Sequence, residues 1–259
     1  MGIFDGILLA VDMDGTLTDS EGKISEKNAE AIRYFQQNGG LFTVASGRPP
    51  RHFDSFIDIF VPNTYIISLN GSMIFDPKTR TAVKKYPLPE SVKEDTVKIA
   101  RSLPEESMIG IHSETSYFRA PAKEISKKTF EYINGDLYDI MFIQSREYTE
   151  KLSLTVPSLY PGYKFARGWS EGLEMFSLPA GKGNALLEVK RLTGSRLAVS
   201  AGNYDNDLEM TLKADIGVAV ANASPSLKAA ADIITVSCDE NAIYEIIKEL
   251  ELRQKPGIK

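Results

Sequence analysis

Short apolar runs that alternate with helix-like segments at both ends of the chain constrain its fold more than any other feature. The runs lie at 7–11, 41–45, 65–69, 197–201, 216–220 and 233–236. Nearly continuous apolar runs of this length are typical of parallel strands that are buried on both faces. The alternation predicts an α/β fold, with one doubly wound parallel sheet assembled from two distant pieces of chain.

The helices predicted between these runs have recognisable ends. The first begins with Ser25 as its N-cap and stops near Gly39 and Gly40. The others are predicted around 182–192, 207–213, 225–230 and 241–250.

The middle of the chain has a different pattern and predicts an α+β unit inserted into the sheet domain. Its predicted elements are helices at 91–103 and 122–133 and strands around 108–111 and 173–176. We therefore divide the chain into one domain made of 1–81 and 180–259 and a second made of 82–179. The inserted unit holds 13 of the 24 aromatic residues, which either fill a small core or form a surface that stacks on a ligand.

Charge and composition exclude several classes of protein. With 30 basic and 35 acidic residues the net charge is −5, which argues against a nucleic-acid partner. The apolar runs are far too short to cross a membrane, and the first five residues lack the basic start of a signal peptide. A single cysteine, Cys238, fits a reducing compartment, so we expect a cytoplasmic protein. The sequence gives no indication of the oligomeric state.

The strongest chemical signal is Asp12-Met13-Asp14-Gly15-Thr16, directly after the first predicted strand. Open α/β sheets bind their ligands at the carboxyl ends of the strands. Two aspartates one residue apart can both reach one cation, through a carboxylate and a main-chain carbonyl, while Gly15 allows a sharp turn. An acidic turn with a helix-capping aspartate would give the same pattern without any chemistry.

A second motif, Ser46-Gly47-Arg48, follows the predicted strand at 41–45. The Ser46 hydroxyl and the Gly47 amide can donate hydrogen bonds to phosphate oxygens at a helix N-terminus. The same residues can also form a plain turn. Arg48 could pair either with a substrate or with a neighbouring carboxylate.

A third motif, Gly181-Lys182-Gly183, opens the helix that follows the inserted unit. A lysine is unfavourable at a helix N-terminus, so this position indicates an anionic neighbour. The compact ammonium of Lys182 is suited to holding a nucleophile and a phosphate together.

A fourth motif follows the predicted strand at 197–201 and contains Asn203, Asp205, Asn206 and Asp207. Carboxylate and amide oxygens are the ligands that a hard cation such as Mg²⁺ prefers. Taken alone, the cluster could equally be a set of helix caps.

In this order the four motifs resemble those of the haloacid dehalogenase superfamily, and more closely those of its Cof-type, subclass IIB phosphatases. Leu69-Asn70-Gly71-Ser72 and the segments 214–223 and 228–232 also resemble that family. In residues 1–81 and 180–250 the likeness rests on motifs. In the inserted unit it rests only on size and position. It implies a Rossmann-like core with an α+β cap domain inserted between the second and third motifs.

The resemblance implies a Mg²⁺-dependent phosphatase that acts on small phosphorylated metabolites, such as sugar phosphates or phosphoglycolate-like esters, through an aspartyl-phosphate. Asp12 would be the nucleophile, Asp14 the general acid and base, and Lys182 the cation that offsets phosphoryl charge. The substrate-binding residues would be Ser46, Gly47, Arg48, Asn70, Lys182 and Asn206. The Mg²⁺ ligands would be Asp12, Asp14, Asn203 and Asp207.

Position 203 departs from the family pattern, in which the fourth motif usually begins Gly-Asp. Here Asn203 replaces the aspartate that usually binds magnesium, so the site loses one negative charge. Weaker Mg²⁺ binding is therefore expected, because ligand charge sets the affinity for hard cations. Asp207 is retained, and Asp205 is an additional carboxylate that could compensate.

The sequence leaves two alternatives to a phosphatase open. One is a phospho-ligand-binding protein that lost turnover with its metal site, and the other is a phosphotransferase of the sugar-phosphomutase type. The retained motif residues favour the hydrolase, because function follows the site rather than the fold. Substrate contacts are expected from the cap. Its aromatic residues Tyr117, Phe118 and Trp169 are candidates, but their spacing does not identify the substrate.

Overall fold

Apolar side chains are buried on both faces of the central strands, as the uninterrupted runs predict. The computed structural model describes residues 2–56 and 59–254. The first five strands are β1 (Ile7–Val11), β2 (Leu41–Val44), β3 (Ile66–Ser68), β4 (Met73–Asp76) and β5 (Thr81–Lys85). The next five are β6 (Met108–Ser113), β7 (Tyr117–Pro121), β8 (Leu137–Ile143), β9 (Tyr163–Trp169) and β10 (Gly172–Ser177). The last three are β11 (Leu197–Gly202), β12 (Ile216–Ala219) and β13 (Ile233–Ile234).

The α-helices begin and end close to the predicted positions at the two ends of the chain. They are α1 (Glu26–Gln37), α2 (Val92–Ala100), α3 (Arg146–Leu159), α4 (Lys182–Thr193), α5 (Leu208–Lys213), α6 (Pro225–Ala230) and α7 (Ala242–Gln254). Ser25 caps α1 as predicted, because its hydroxyl oxygen accepts a hydrogen bond from the Asn28 amide at 3.1 Å. No helix within the described ranges is long and apolar enough to cross a membrane.

The two ends of the chain build one parallel sheet with the strand order β13-β12-β11-β1-β2. Every residue of β1 is buried, which is why this strand lies inside the sheet and is apolar throughout. A single parallel bridge between Ala45 and Ile67 continues the sheet to β3. The predicted doubly wound α/β fold is confirmed, and the loops after β1, β2 and β11 all lie at one edge of the sheet.

The middle of the chain forms an antiparallel sheet with the order β7-β6-β8-β10-β9, which confirms the inserted α+β unit. Alternate residues of its strands point to opposite faces. One face joins α2 and α3 in a hydrophobic cluster that includes Ile111, Ile140 and Leu173. The intervening positions carry polar side chains, among them Asp139 and Glu174.

One predicted helix is wrong. Residues 122–133 form two short 3₁₀ helices, Ala122–Glu124 and Lys127–Tyr132, instead of one α-helix. The break falls at Ser126, whose amide donates to Thr129 Oγ1 at 3.0 Å, and such side-chain bonds compete with a continuous helix. The sequence also did not predict α3 or the strands β4, β5, β7, β8 and β9.

The chain leaves and re-enters the parallel-sheet region through two connections that lie side by side. The Ser177 hydroxyl, at the end of β10, donates to the Tyr86 carbonyl oxygen, just after β5, at 2.8 Å. A Cβ atom at Gly71 would lie 2.3 Å from the Gly181 carbonyl oxygen, so the two segments approach too closely for a side chain there. We propose that the domain division at about 81 and 180 follows these connections; residues 255–259 lie outside the described chain.

Candidate active site

Asp12 lies at the carboxyl end of β1, where the chain turns sharply away from the sheet. Gly15 makes that turn at φ 74°, a left-handed conformation that favours glycine. The Asp12 side chain is buried, and its Oδ1 accepts a hydrogen bond from Lys182 Nζ at 2.7 Å. Asp14 instead points towards solvent, with 57% of its side chain exposed. The two aspartates of the motif therefore occupy different environments.

Lys182, the first residue of α4, joins two buried carboxylates. Its Nζ lies 2.7 Å from Asp12 Oδ1 and 2.6 Å from Asp207 Oδ1, and its side chain has no exposed area. These carboxylates are the anionic neighbours that a lysine at a helix N-terminus predicts. The other oxygen of Asp207 accepts hydrogen bonds from the amides of Asn203 and Tyr204, at 2.9 and 3.2 Å.

Burial and charge set the protonation of this trio. Burial, followed by the nearby Asp207 carboxylate, raises the pKa of Asp12 to about 7, although Lys182 acts in the opposite direction. Burial alone would lower the pKa of Lys182, but Asp12 and Asp207 raise it well above its ordinary value. Lys182 is therefore a fixed cation, while Asp12 changes charge near neutral pH.

The loop after β2 places the second motif beside Asp12. The buried Ser46 hydroxyl oxygen accepts a hydrogen bond from the Arg48 amide at 3.2 Å, which leaves its own proton to donate. The Ser46 carbonyl accepts from the Asn70 amide at 3.0 Å, so the loops after β2 and β3 are joined. Asn70 is held at φ 52°, a left-handed conformation that asparagine tolerates better than most residues.

Arg48 pairs with Asp14, which decides between the two partners that the sequence left open. Arg48 Nε donates to Asp14 Oδ2 at 2.8 Å, and Nη2 donates to Oδ1 at 2.6 Å. This two-point contact is the strong geometry for an arginine and a carboxylate. The side chain of Asp14, the expected acid and base, is thus paired with a neighbouring residue of the same site.

The fourth motif contributes amides rather than free carboxylates. The Asn203 amide donates from Nδ2 to the Asp14 carbonyl oxygen at 3.0 Å. Asn206 Nδ2 donates to Asn70 Oδ1 at 3.2 Å, which ties the loop after β11 to the loop after β3. Asp205 does not compensate for Asn203, because its Oδ2 accepts from Arg167 Nε at 2.8 Å and Nη2 at 2.5 Å.

The oxygens around Asp12 fit magnesium in type but supply little charge. Between residues 2–56 and 59–254, no three His, Cys, Asp or Glu side chains are grouped so that they could hold a metal ion. Three of the predicted ligands would offer the Asp12 carboxylate, the Asp14 carbonyl and the Asn203 side-chain oxygen, although it is the amide nitrogen of Asn203 that contacts the Asp14 carbonyl here. All three are ligand types that Mg²⁺ accepts, yet only Asp12 carries a negative charge.

The antiparallel sheet adds polar residues that the sequence motifs did not indicate. A cavity of about 330 Å³ lies over Asp12 and Ser46 and is also lined by Glu174, His112 and Trp169. Glu174 is 4% exposed, and burial and Asp139 raise its pKa to about 8. The available signal was a glutamate in the middle of the alternating apolar strand 173–176. All the predicted site residues except Asp207 lie against this cavity or bond to a residue that does.

Comparisons with known proteins agree with this architecture. The family model of haloacid dehalogenase-like hydrolases matches residues 9–247. The chain is 28% identical to phosphatase YwpJ of Bacillus subtilis (strain 168) over 296 residues, covering 94% of this chain and 99% of that one. It resembles the solved structure of the HAD subclass IIB sugar phosphatase BT4131 with a TM-score of 0.77 and 21% identity, covering 93% and 98%.

A further solved structure extends the likeness. The phosphatase BT1666 from Bacteroides thetaiotaomicron has a TM-score of 0.78 and 22% identity, covering 96% of each chain. At these identities the solved structures establish the fold, and the family model, which spans most of the chain, establishes the family. The chain belongs to the haloacid dehalogenase-like hydrolases, with the fold of their subclass IIB members.

Proposed function

We propose that the chain hydrolyses small phosphomonoesters at Asp12 through an aspartyl-phosphate, with Mg²⁺ bound. The family and its phosphatase relatives make it a phosphoric monoester hydrolase, and the sugar phosphatase BT4131 supports sugar phosphates as candidate substrates. The observation that carries the proposal is the buried Asp12–Lys182–Asp207 chain of contacts, of which Asp12 lines the cavity. It provides a nucleophile and a fixed cation where phosphoryl charge would develop.

The proposed first step uses the residues of the two loops that follow β1 and β2. The Ser46 hydroxyl and the Gly47 amide donate to phosphoryl oxygens, while Lys182 orients the Asp12 carboxylate by holding Oδ1. Asp12 attacks phosphorus, the bond from phosphorus to the ester oxygen breaks, and Asp14 gives the leaving oxygen a proton. Splitting the reaction at a covalent intermediate replaces one difficult displacement by two easier ones.

The second step regenerates the enzyme. A water molecule attacks phosphorus of the aspartyl-phosphate, gives its proton to Asp14, and releases phosphate with Asp12 restored. For both roles Asp14 must change its protonation, which requires Arg48 to loosen its two-point contact once substrate is bound. We therefore propose that Arg48 shifts from Asp14 towards the incoming phosphate.

Mg²⁺ would be held by the Asp12 carboxylate, the Asp14 carbonyl and the Asn203 side-chain oxygen. When bound, it would offset negative charge on the phosphoryl oxygens. Asp207, whose oxygens accept from Lys182 and from two amides, would support this site by fixing Lys182 and the backbone of the fourth motif. With one charged ligand, the site is expected to bind Mg²⁺ weakly.

Calorimetric titration with Mg²⁺ tests the metal site separately from turnover. Asn203→Asp restores the second negative charge, so we expect the dissociation constant to fall about tenfold or more. Asn222→Asp is a matched control, because Asn222 donates to the neighbouring Gly15 carbonyl oxygen, at 2.8 Å, and is not a proposed ligand. Unchanged affinity in Asn203→Asp would remove residue 203 from the site.

The phosphatase itself is tested by phosphate release from a panel of phosphorylated metabolites in the presence of Mg²⁺. Asp12→Asn is expected to lower kcat about 10⁴-fold or more, as for other lost nucleophiles. The exposed Asp136, which lies away from the cavity, supplies the control Asp136→Asn. If substrates stabilise the natural chain against heat but are never hydrolysed, the chain is a binding protein. If phosphate passes to a second sugar rather than to water, it is a phosphotransferase.

A further inference from the structure

A second cavity, of about 480 Å³, adjoins the cavity over Asp12, and Pro49 lines both. Its walls come from the loop and 3₁₀ helix after β2, the hairpin formed by β4 and β5, and the turn between β6 and β7. The first wall belongs to the parallel-sheet half of the molecule and the last to the antiparallel sheet. The volume is in the range of small-molecule sites, yet none of the described lining residues has a role in the proposed phosphoryl transfer.

One wall of the second cavity is apolar. Phe75 pairs with Ala82 in the register of the β4–β5 hairpin, and Met73 lies two residues before Phe75 on the same strand. Met73 is buried, whereas Phe75 and Ala82 are half-buried and keep part of their surface open to the cavity. Pro49 and Pro50 extend this wall. The wall can therefore cover one side of a flat apolar ligand.

The charged residues of the lining leave one positive charge uncompensated. The cations are Arg51, Arg80 and Lys85, and the only acidic residue among the described lining is Glu114. Lys85 pairs with Glu114. Arg80 is paired from outside the lining, because its Nη1 and Nη2 donate to the two carboxylate oxygens of Asp54 at 3.1 and 2.9 Å. The remaining charge belongs to Arg51.

Arg51 uses only part of its guanidinium. Its Nη1 donates to the Thr115 carbonyl oxygen, in the turn between β6 and β7, at 2.9 Å. Across 2–56 and 59–254, no carboxylate pairs with Arg51. A guanidinium has five N–H donors in a planar fork, so donors are left for a ligand at the mouth of the cavity. The same side chain already joins the two halves of the molecule.

We propose that the second cavity is a binding site for a small organic monocarboxylate with a flat apolar body. The carboxylate would accept two parallel hydrogen bonds from Arg51, while the body packs on Met73 and Phe75. A phosphate dianion fits less well, because it would keep one negative charge without a partner. The proposal goes beyond the proposed phosphatase function and does not depend on it.

A ligand at this position would contact both halves of the molecule. Arg51 and Pro50 belong to the parallel-sheet half, and Ser113 and Ser116 flank the turn of the antiparallel sheet. A ligand stabilises the arrangement that binds it, so a bound carboxylate would favour the present position of the two sheets. Because Pro49 lines both cavities, the ligand would also contact the loop that carries Arg48.

Calorimetric titration of the full chain with 2-naphthoate tests the site. This probe has one carboxylate and a flat apolar body that fits the cavity. 2-Naphthamide keeps the shape without the charge, and acetate keeps the charge without the body. We expect one molecule of 2-naphthoate to bind per chain, about tenfold or more tightly than either comparison compound. Inorganic phosphate, which addresses the catalytic cavity, should not displace it.

Two variants and a matched control locate the binding. Arg51→Gln should weaken 2-naphthoate binding about tenfold or more, because it removes the charged donor. Thr81→Trp places a large side chain at an exposed position of the lining and should block the cavity with every charge retained. Arg48→Gln, the control, removes the other arginine of the same loop, which lines only the catalytic cavity, and should leave the affinity unchanged. Unchanged melting temperatures would show that both variants fold.

Several results would overturn the inference. They are the absence of saturable 2-naphthoate binding below about 1 mM, equal affinity for 2-naphthamide, and displacement by inorganic phosphate. Unchanged affinity in Arg51→Gln or in Thr81→Trp would have the same meaning. A loss in Arg48→Gln instead would place the probe in the catalytic cavity.

Discussion

Replacing Lys182 by methionine tests whether one buried ammonium stabilises both the site and the fold. The substitution keeps most of the aliphatic volume but removes the donor that lies 2.7 Å from Asp12 and 2.6 Å from Asp207. Two carboxyls then remain buried without a cation. Removing one partner of a buried ion pair typically costs about 3–5 kcal/mol.

Protonation sets an upper limit on this loss, because a buried carboxylate without a cation can take up a proton and become neutral. Protonating an aspartate of ordinary pKa costs about 4 kcal/mol at pH 7 and about 1.5 kcal/mol at pH 5. Burial and Asp207 already raise the pKa of Asp12 to about 7, so most of the new cost falls on Asp207. We expect Lys182→Met to lower the free energy of unfolding by about 3–4 kcal/mol at pH 7.

The sign of the pH dependence follows from the same reasoning. In the variant the folded state binds more protons than the unfolded state, so the loss grows as the pH rises from 5 to 7. Urea unfolding at both pH values measures it, with magnesium removed by chelation. Lys190→Met on the same helix is the control, because Lys190 pairs with Asp215 near the surface and should cost less than about 1 kcal/mol. A loss in Lys182→Met that is no larger than the control, or that does not change with pH, would refute the reasoning.

Three further outcomes follow from the contacts. In metal-free protein, burial raises the pKa of Asp12 to about 7, so the ionised Asp12 carboxylate destabilises the fold increasingly from pH 4 to 7 and equally above that. The free energy of unfolding gained in Asp12→Asn, measured by urea unfolding, should rise over the same pH range and then level. A double-mutant cycle with Arg167→Gln and Asp205→Asn should give a coupling energy of about 1 kcal/mol, whereas additive losses would show that this contact between β9 and the fourth motif does not stabilise the protein. A Cβ atom at Gly168 would lie 2.5 Å from Glu174 Oε2. Gly168→Ala should therefore displace the Glu174 carboxyl, which also lines the cavity, and raise KM for phosphomonoesters; an unchanged KM would contradict the close approach.

The sequence predicted the parallel sheet well because burial on both faces forces a strand to be apolar at every position. Ile7–Val11 is apolar throughout and begins and ends where predicted. The helix α3 was missed because only Thr149 and Val156 of its residues are buried, which leaves little amphipathic pattern, and Pro157 near its end argues against a helix. For residues 122–133 the sequence predicted an α-helix that the structure does not contain, because local hydrogen bonds divide this helix-like segment.

The sequence predicted those site residues that directly follow strands of the parallel sheet. The motifs at Asp12, Ser46 and Asn203 follow strands of the parallel sheet, so parallel pairing alone brings them to one edge of that sheet. Contacts across the cavity were not predictable. The pairing of Arg48 with Asp14 depends on loop conformation, and the position of Glu174 depends on the register of β10 against β8 and β9.

The two connections that touch at Tyr86 and Ser177, and again at Gly71 and Gly181, define a single narrow pivot for the antiparallel sheet. The pivot ends one residue before Lys182, the lysine that holds Asp12. A rotation that lifts Glu174 away from Gly47 would therefore pull on the backbone beside that lysine. Admission of substrate and positioning of the nucleophile would then be coupled, and a substitution at the pivot would be expected to alter both together.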